Sequence, residues 1–383
     1  MITREVVQSY YPVKELGELA DFLDNRRRPV KESDRAPGPY PYFGANGQQG
    51  TIDGYLFDEP LILLAEDGGF FDDPDRGIAY RISGKSWVNN HAHVVRAKNG
   101  NADLGYLHRV LENYDVRPFI SGTTRGKLTK GQAERILIPI PPLNEQRRIA
   151  AILDKADALR CKHKGALKFF DDLNQSIFLA MFGDPTTNPK NFPRSTLESI
   201  VTAVVDCPHT TPNWTSSGKI ALRTSNLTAG GWDWSDTRFV SKKEFRERSF
   251  RAFVKPGDIV LSREGTVGVA AIVPNDLEVC LGQRLVQIRL EGAPISGQYL
   301  LAFLLYELAP KRISRIMVGA TSTHLNLKDL RKMQVPLPPK SLQAIYQRKA
   351  NLIHRLKERA SAASAEIDHL FSSLQSRAFS GQL

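Results

Sequence analysis

Cysteine is scarce in this chain of 383 residues: Cys161, Cys207 and Cys280 are far apart and odd in number. That excludes a disulfide framework and points to a reducing, cytoplasmic compartment. Long apolar runs are missing too. The most apolar stretch, residues 299–308, is broken by Glu307 and is far too short to cross a bilayer, so no membrane partner is expected. The stretch from Met1 to Gly17 has no apolar core of a signal peptide.

Complete chemical signatures are also missing. Residues 79–86 end in Gly84-Lys85-Ser86, but Ala79 stands where a phosphate loop needs its first glycine, and Gly77 comes too early. A turn between strands is expected there. Asp184-Pro-Thr-Thr187 and Asn188-Pro-Lys-Asn191 lack the second proline and the aromatic of an amino-methyltransferase motif. Phe43-Gly-Ala-Asn-Gly47 departs from the matching cofactor loop. Asp258 and Glu264 lack the Glu-x-Lys half of a nuclease site, and Cys207-Pro-His209 is isolated. His91 and His93 are expected on one face of a strand, without the cysteine pair or nearby acid that would complete a metal site. The expectation is therefore no catalytic residue, no metal and no cofactor held by this chain.

What is abundant is positive charge. Lys and Arg number 52 against 41 Asp and Glu, a formal net charge of +11. Such a surplus favours a polyanionic partner. Length alone suggests about two or three domains.

The chain repeats itself. Gly122-Thr-Thr-Arg-Gly-Lys-Leu128 precedes Ile138-Pro-Ile-Pro-Pro142, and Gly319-Ala-Thr-Ser-Thr-His-Leu325 precedes Val335-Pro-Leu-Pro-Pro339, with 197 positions between the two glycines. The same offset links Gln146 to Gln343, Leu173 to Leu370 and Phe182 to Phe379, and, upstream, residues 62–68 to 259–265. It reads as a gap-free duplication. Each copy begins with short apolar runs punctuated by Gly, Pro, Asn and Asp, at residues 55–64, 88–96, 258–262 and 285–290, which predict strands.

Each copy then continues as one long helix after its prolines. Residues 144–182 contain no proline and a single glycine, Gly165; residues 341–379 contain neither. A heptad stripe runs through Ile149, Ala156, His163, Phe170 and Ile177, interleaved with Ile152, Leu159, Ala166, Leu173 and Ala180. Its counterpart is Tyr346, Ile353, Ala360, Ile367 and Leu374, with Leu356, Ala363 and Leu370 between. Two such stripes predict an antiparallel coiled coil. At ~1.5 Å per residue each helix would rise roughly 58 Å, long enough to set two domains on separate half-sites of DNA. The expected fold is α+β: β-rich recognition domains at 1–141 and 185–338, helical spacers at 142–184 and 339–383, and an internal pseudo-two-fold repeat.

Cations and polar tips nominate the DNA-facing residues. Lys and Arg hold phosphates, and Asn, Gln and Arg read base edges. The first copy offers Arg26, Arg27, Arg28, Lys31, Arg81 and Lys85 with Asn46, Gln48 and Gln49. The second offers Arg223, Ser225, Asn226, Lys242, Lys243, Arg246 and Arg263, with Arg251, Lys311, Arg312 and Arg315 in further basic runs. The aromatic runs at 40–43 and 232–234 are expected to close small cores rather than to touch bases.

Five strings in order resemble one family. They are Tyr40-Pro-Tyr-Phe-Gly-Ala-Asn-Gly47 with Gly50, Ile52 and Asp53; Val88-Asn-Asn-His-Ala-His-Val94; and Ile138-Pro-Ile-Pro-Pro-Leu-Asn-Glu-Gln-Arg-Arg-Ile149. Lys255-Pro-Gly-Asp-Ile-Val260 with Gly265-Thr-Val-Gly268, and Leu374-Gln-Ser-Arg-Ala-Phe379 with Gly381 and Leu383, complete the set. Over essentially its full length the chain resembles specificity subunits of Type I restriction–modification systems. The resemblance implies a non-catalytic subunit that binds double-stranded DNA at a bipartite site, with the helices setting the gap. It implies partners too: two methyltransferase subunits, docking around Glu145, Gln146, Arg147 and Gln343, and restriction–translocase subunits. S-adenosylmethionine, ATP and Mg would belong to those partners. One departure is Pro339-Lys-Ser-Leu-Gln343, which lacks the acid that Glu145 supplies before Gln146. A specificity subunit of a Type IIB-like or phage-exclusion system, a protein-interaction scaffold and an orphan methyltransferase are the competing readings.

Overall fold

The computed structural model describes residues 11–73, 76–98, 100–122, 126–251, 253–313 and 324–383. Residues 123–125 and 319–323 of the repeated signature, and Arg315, lie outside the described residues. The chain packs as two compact units, Met1–Lys164 with Ala362–Leu383, and Gly165–Ser361. Each unit combines one β-rich half with a portion of both long helices.

Unit 1 contains β1 (Val13–Glu15), β2 (Ala20–Phe22), β3 (Tyr40–Gly44), β4 (Gly47–Ile52), β5 (Phe57–Asp58), β6 (Leu61–Ala65), β7 (Ala79–Ile82), β8 (Lys85–Val88), β9 (Ala92–Ala97) and β10 (Leu137–Pro139). They form sheets ordered β1-β10, β2-β9-β6-β7 and β4-β3-β8-β5. Unit 2 contains β11 (Arg194–Thr196), β12 (Ala203–Asp206), β13 (Trp214–Thr215), β14 (Lys219–Leu222), β15 (Leu227–Thr228), β16 (Gly231–Trp232), β17 (Phe239–Val240), β18 (Ile259–Ser262), β19 (Ala270–Ile272), β20 (Val279–Leu281), β21 (Leu285–Arg289) and β22 (Gln334–Pro336). Its sheets are β11-β22, β12-β21-β18-β19, β13-β17-β14-β20 and β15-β16. A parallel pair, β3·β8 in one unit and β14·β20 in the other, interrupts otherwise antiparallel sheets.

The central strand explains the apolar runs. In β6 every residue is buried, with Ile62 and Leu64 in one core and Leu61 and Leu63 in another. Side chains alternate across a strand, so a strand covered on both faces is apolar throughout. β18 repeats this, with Ile259 and Leu261 in one core and Val260 in a second. Each fully buried Leu or Ile contributes about 1.5–3 kcal/mol. Gly68 and Gly265, both at positive φ (64° and 74°), turn the chain after these strands in a conformation that glycine adopts without strain. The stretch at 79–86 is the β7–β8 turn, with Gly84 at φ 70°.

The duplication is not gap-free. Ile62 pairs with Val95 and Ile259 with Ile288. The second members of these pairs are 193 apart in sequence, not 197. The offset returns to 197 at Leu128 and Leu325. Four residues are thus lost and regained between matching elements.

The long helices are Leu143–Phe182 and Lys340–Phe379. In unit 1, Arg160 Nε donates to Asp368 at 2.7 Å and Arg148 Nη2 to Leu383 O at 2.8 Å, so the helices run antiparallel. In unit 2, Tyr346 Oη donates to Asn174 at 3.1 Å and Lys357 Nζ to Asp171 at 2.5 Å. The first heptad register holds, but the interleaved one lies one residue later than expected. Leu159, Leu356 and Leu370 are 54%, 41% and 56% exposed, whereas Leu153, Ala350, Ser364, Phe371 and Ala378 are buried. The inward register includes Arg160 and Lys357, which lay their alkyl stems along the seam and pair at their tips. A pattern of apolar residue types steps over such positions.

Candidate nucleic-acid interface

In unit 1 the chain from Arg26 to Arg35 lies along β8 and the β3–β4 hairpin. Arg28 N donates to Val88 O at 3.1 Å, and Trp87 Nε1 donates to Arg28 O at 2.6 Å. Arg35 stacks on Tyr42, 3.9 Å from the ring centre, and donates to Gln49 O at 2.9 Å. Those contacts bring Arg28, Gln49 and the exposed Arg35 neighbour Lys31 into one surface; the Arg28 and Gln49 side chains are themselves exposed. Asn46 and Gln48 are exposed on the same hairpin, Asn46 Nδ2 donating to Gly68 O at 2.9 Å and Gln48 Nε2 to Gly50 O at 3.0 Å. Lys85 is exposed over the Tyr55 ring at 4.8 Å. Arg26 is exposed and covers Phe57.

Two nominated cations serve the fold instead. Arg81 Nη2 reaches both carboxylate oxygens of Asp154 at 3.0 Å, tying β7 to the first long helix. Arg27 is inside an ionic cluster: it bonds Glu66 Oε2 at 2.5 Å and lies 3.4 Å from Asp24. The same cluster corrects the reading of the histidines. His91 precedes β9 and bonds Asp67 at 2.6 Å, while His93 is 1% exposed and bonds Asp24 at 2.7 Å and Leu128 O at 2.8 Å. The fold supplies acids that are remote in sequence. Asp24, Glu66 and His93 offer ligand atoms within 4.8 Å of one another, but the Arg27 guanidinium bridges both carboxylates. Burial alone would raise Asp24 and Glu66. Hydrogen bonds and charge from His93 and Arg27, with Lys127 on Glu66, outweigh it and hold both below the usual carboxylate range.

In unit 2 the helix Lys242–Arg248 starts at Ser241, whose side chain accepts from Glu244 N. It presents Lys242, Lys243 and Arg246 to solvent, while Arg248 is buried and bonds Glu244 at 2.7 Å. Ser225 is exposed. Asn226 is 1% exposed and spends its side chain on Arg223 N at 3.0 Å and Asp233 O at 3.0 Å, so it shapes a turn and reads no base. Arg223 is paired with Asp236. Arg263 is mostly covered between Asp206 at 3.7 Å and Glu264 at 3.6 Å. Beside it Arg284, absent from the sequence nominations, is 61% exposed at φ 65°. Arg312 is held by Asp184 and Glu307 at 3.0 and 2.9 Å, which leaves it structural.

The expected docking residues divide. Glu145 binds Arg148 at 2.8 Å and Arg147 is exposed. Gln146 and Gln343 are 1% and 4% exposed, which corrects their assignment to a docking surface. Gln146 accepts from Asp103 N at 2.9 Å and donates to Pro141 O at 3.0 Å. Gln343 does the same with Ser296 N and Pro338 O, both at 2.8 Å. Each glutamine joins a long helix to the start of its unit's β-packed helix, a duty that a surface pattern does not reveal.

A duplicated mixed-sheet module on paired long helices, with exposed cations and polar tips in both copies, has the build of a recognition protein. A family model described as the Type I restriction modification DNA specificity domain matches residues 9–167 and 207–356. The chain belongs to this family of DNA specificity subunits. A putative type I restriction enzyme specificity subunit of Haemophilus influenzae is 31% identical, covering 85% of this chain and 83% of its own. The MjaVIII specificity subunit of Methanocaldococcus jannaschii is 22% identical, with 86% and 82% covered. Among solved structures, the S subunit of a Type I system from M. genitalium shares the fold, with a TM-score of 0.62 at 14% identity over 97% of this chain and 96% of that one. Among the described residues no helix is long and apolar enough to cross a membrane.

Proposed function

We propose that this chain is a non-catalytic reader of a bipartite duplex site, one half read by each β-rich domain, with the antiparallel helices setting the gap. Two methyltransferase subunits dock on it and methylate adenine, and restriction–translocase subunits join them. S-adenosylmethionine, ATP and Mg are held by those partners, and the complex works in the cytoplasm. The observation that carries the reading is the duplication itself: two copies of one mixed-sheet fold, each with exposed Lys and Arg, attached to two helices of 40 residues. Support for docking comes from the second long helix, where Ile345, Leu352 and Leu356 form an exposed apolar stripe off the coiled-coil seam (40%, 51% and 41% exposed). The free cysteines, Cys207 and Cys280 buried and Cys161 exposed, fit a reducing compartment.

Single-molecule methylome sequencing of a strain with and without the gene tests the proposal. The expected result is N6-methyladenine at an asymmetric site of two short halves with a fixed gap, lost on deletion. Persistence of the mark after deletion refutes it.

A further inference from the structure

Phe250 is the most exposed large apolar side chain among those described, at 90%, and Phe253, three residues on, is 55% exposed. Water should be an unfavourable setting for both rings. They stand just beyond the helix Lys242–Arg248, and Phe253 is anchored to the sheet. Phe253 O accepts from Gln287 Nε2 at 3.0 Å and from Arg289, both on β21, and the Phe253 ring lies 6.3 Å from the buried Phe245. Phe250 N donates back to Glu247 O at 3.3 Å. Arg246 is one helical turn before Phe250, and Arg251 follows it. Both are exposed, as is Lys242, and none of the three has a carboxylate partner among the described residues. A solvent-facing phenyl ring among uncompensated cations is unsuited to an apolar protein surface, which would have to desolvate those charges. It suits a polyanion whose interior is aromatic. Cations take the phosphates, and the ring meets a base.

We propose that Phe250 is a specificity-determining residue that packs against an unstacked base step in the second half-site, with Lys242, Arg246 and Arg251 holding the flanking phosphates. This rests on the DNA-reading function above. It adds a mode of reading that hydrogen-bonding side chains do not supply: the energy of opening a base step depends on its sequence, so a wedge discriminates without touching base edges. Between β4 and β6 unit 1 has only residues 53–60, which hold the two-residue β5 and no helix, so the mode belongs to one half-site.

The test uses the full chain expressed with its methyltransferase partners, and a duplex carrying the site found by methylome sequencing. Single bases of the second half-site and its flanks are replaced in turn by 2-aminopurine. Binding should raise the fluorescence at one step. F250A should abolish that rise and weaken binding about 5- to 100-fold, with an unchanged melting temperature. F250W should retain both signals. K242A and R246A should keep the fluorescence rise while each lowers the salt slope by about 1. A rise that persists in F250A, or affinity equal to wild type, overturns the wedge and leaves DNA reading intact. Failure of the wild-type complex to bind duplex with steep salt dependence overturns the DNA-reading function itself.

Discussion

Arg109 Nε donates to Asp154 Oδ1 at 2.7 Å, from the helix Leu104–Glu112 to the first long helix of unit 1. Its Nη1 also bonds Glu112 at 2.8 Å and Asp157 at 3.2 Å, and the residue is 3% exposed. Three carboxylates converge on one covered cation. R109A removes the cation that Glu112 pairs with and leaves Asp154 and Asp157 to Arg81 and Arg160 alone, and such a loss typically costs roughly 3 kcal/mol. Urea unfolding should show it. R109K keeps the charge without the fork and should fall between.

In unit 2 the position equivalent to Arg109, at the 193-residue offset, is Ala302. Ala302 borders a cavity of about 250 Å³, walled also by Phe178, Leu301, Leu305 and Ile353. A302L should fill part of it and add about 0.5–2 kcal/mol of stability. A thermal melt would read this as a rise of a few degrees, and an unchanged or lower midpoint would mean the cavity walls resist a larger side chain.

His108 governs the acid limb of stability. Burial, reinforced by the charges of Arg109 and Arg81, pushes its imidazole down to about 4. In the unfolded chain it binds a proton near its ordinary 6.5, so unfolding takes up a proton between those values. Stability therefore falls as pH drops from about 6.5 to 4, by up to about 3 kcal/mol. Asp24, Glu66 and Asp154, all held low, add a loss only below their ordinary values. H108L should flatten the melting temperature from pH 6.5 to 4.5 and leave the steeper fall below pH 4.

The apolar stripe and the buried glutamines make opposite predictions. L352E and L356E should release co-expressed methyltransferase on size-exclusion chromatography while the melting temperature stays close to wild type. Q343A should do the reverse. It leaves Ser296 N and Pro338 O without their partner, costs about 1–3 kcal/mol, and retains the partner in whatever fraction folds.

Much of this was legible in the sequence because it rests on local rules. The apolar runs at β6 and β18, the proline stops before Leu143 and Lys340, and the uninterrupted helices are each written in consecutive residues. The inward helical register was not legible, because Arg160 and Lys357 count as polar in any pattern while the seam uses their stems. Nor was the fate of single cations. Arg81, Arg27 and Arg312 look like Arg28 and Lys31 in sequence, and only the folded chain brings Asp154, Glu66 and Asp184 to them. Gln146 and Asn226 were hidden for the same reason: an amide is a reader when exposed and a brace when both of its ends are spent indoors.

The shift from 197 to 193 and back has a consequence for inheritance. The offset is also only 181 at Val13 and Arg194, whose partners Pro139 and Pro336 are 197 apart, so a further 16 residues are gained between β1/β11 and β6/β18. All these length changes fall inside the β-rich halves and leave the phase of the helices intact. A crossover that replaces one β-rich half with a stranger of different length would keep every helix contact in step. New target preferences can then arise by shuffling halves, without waiting for point changes to accumulate in a working reader.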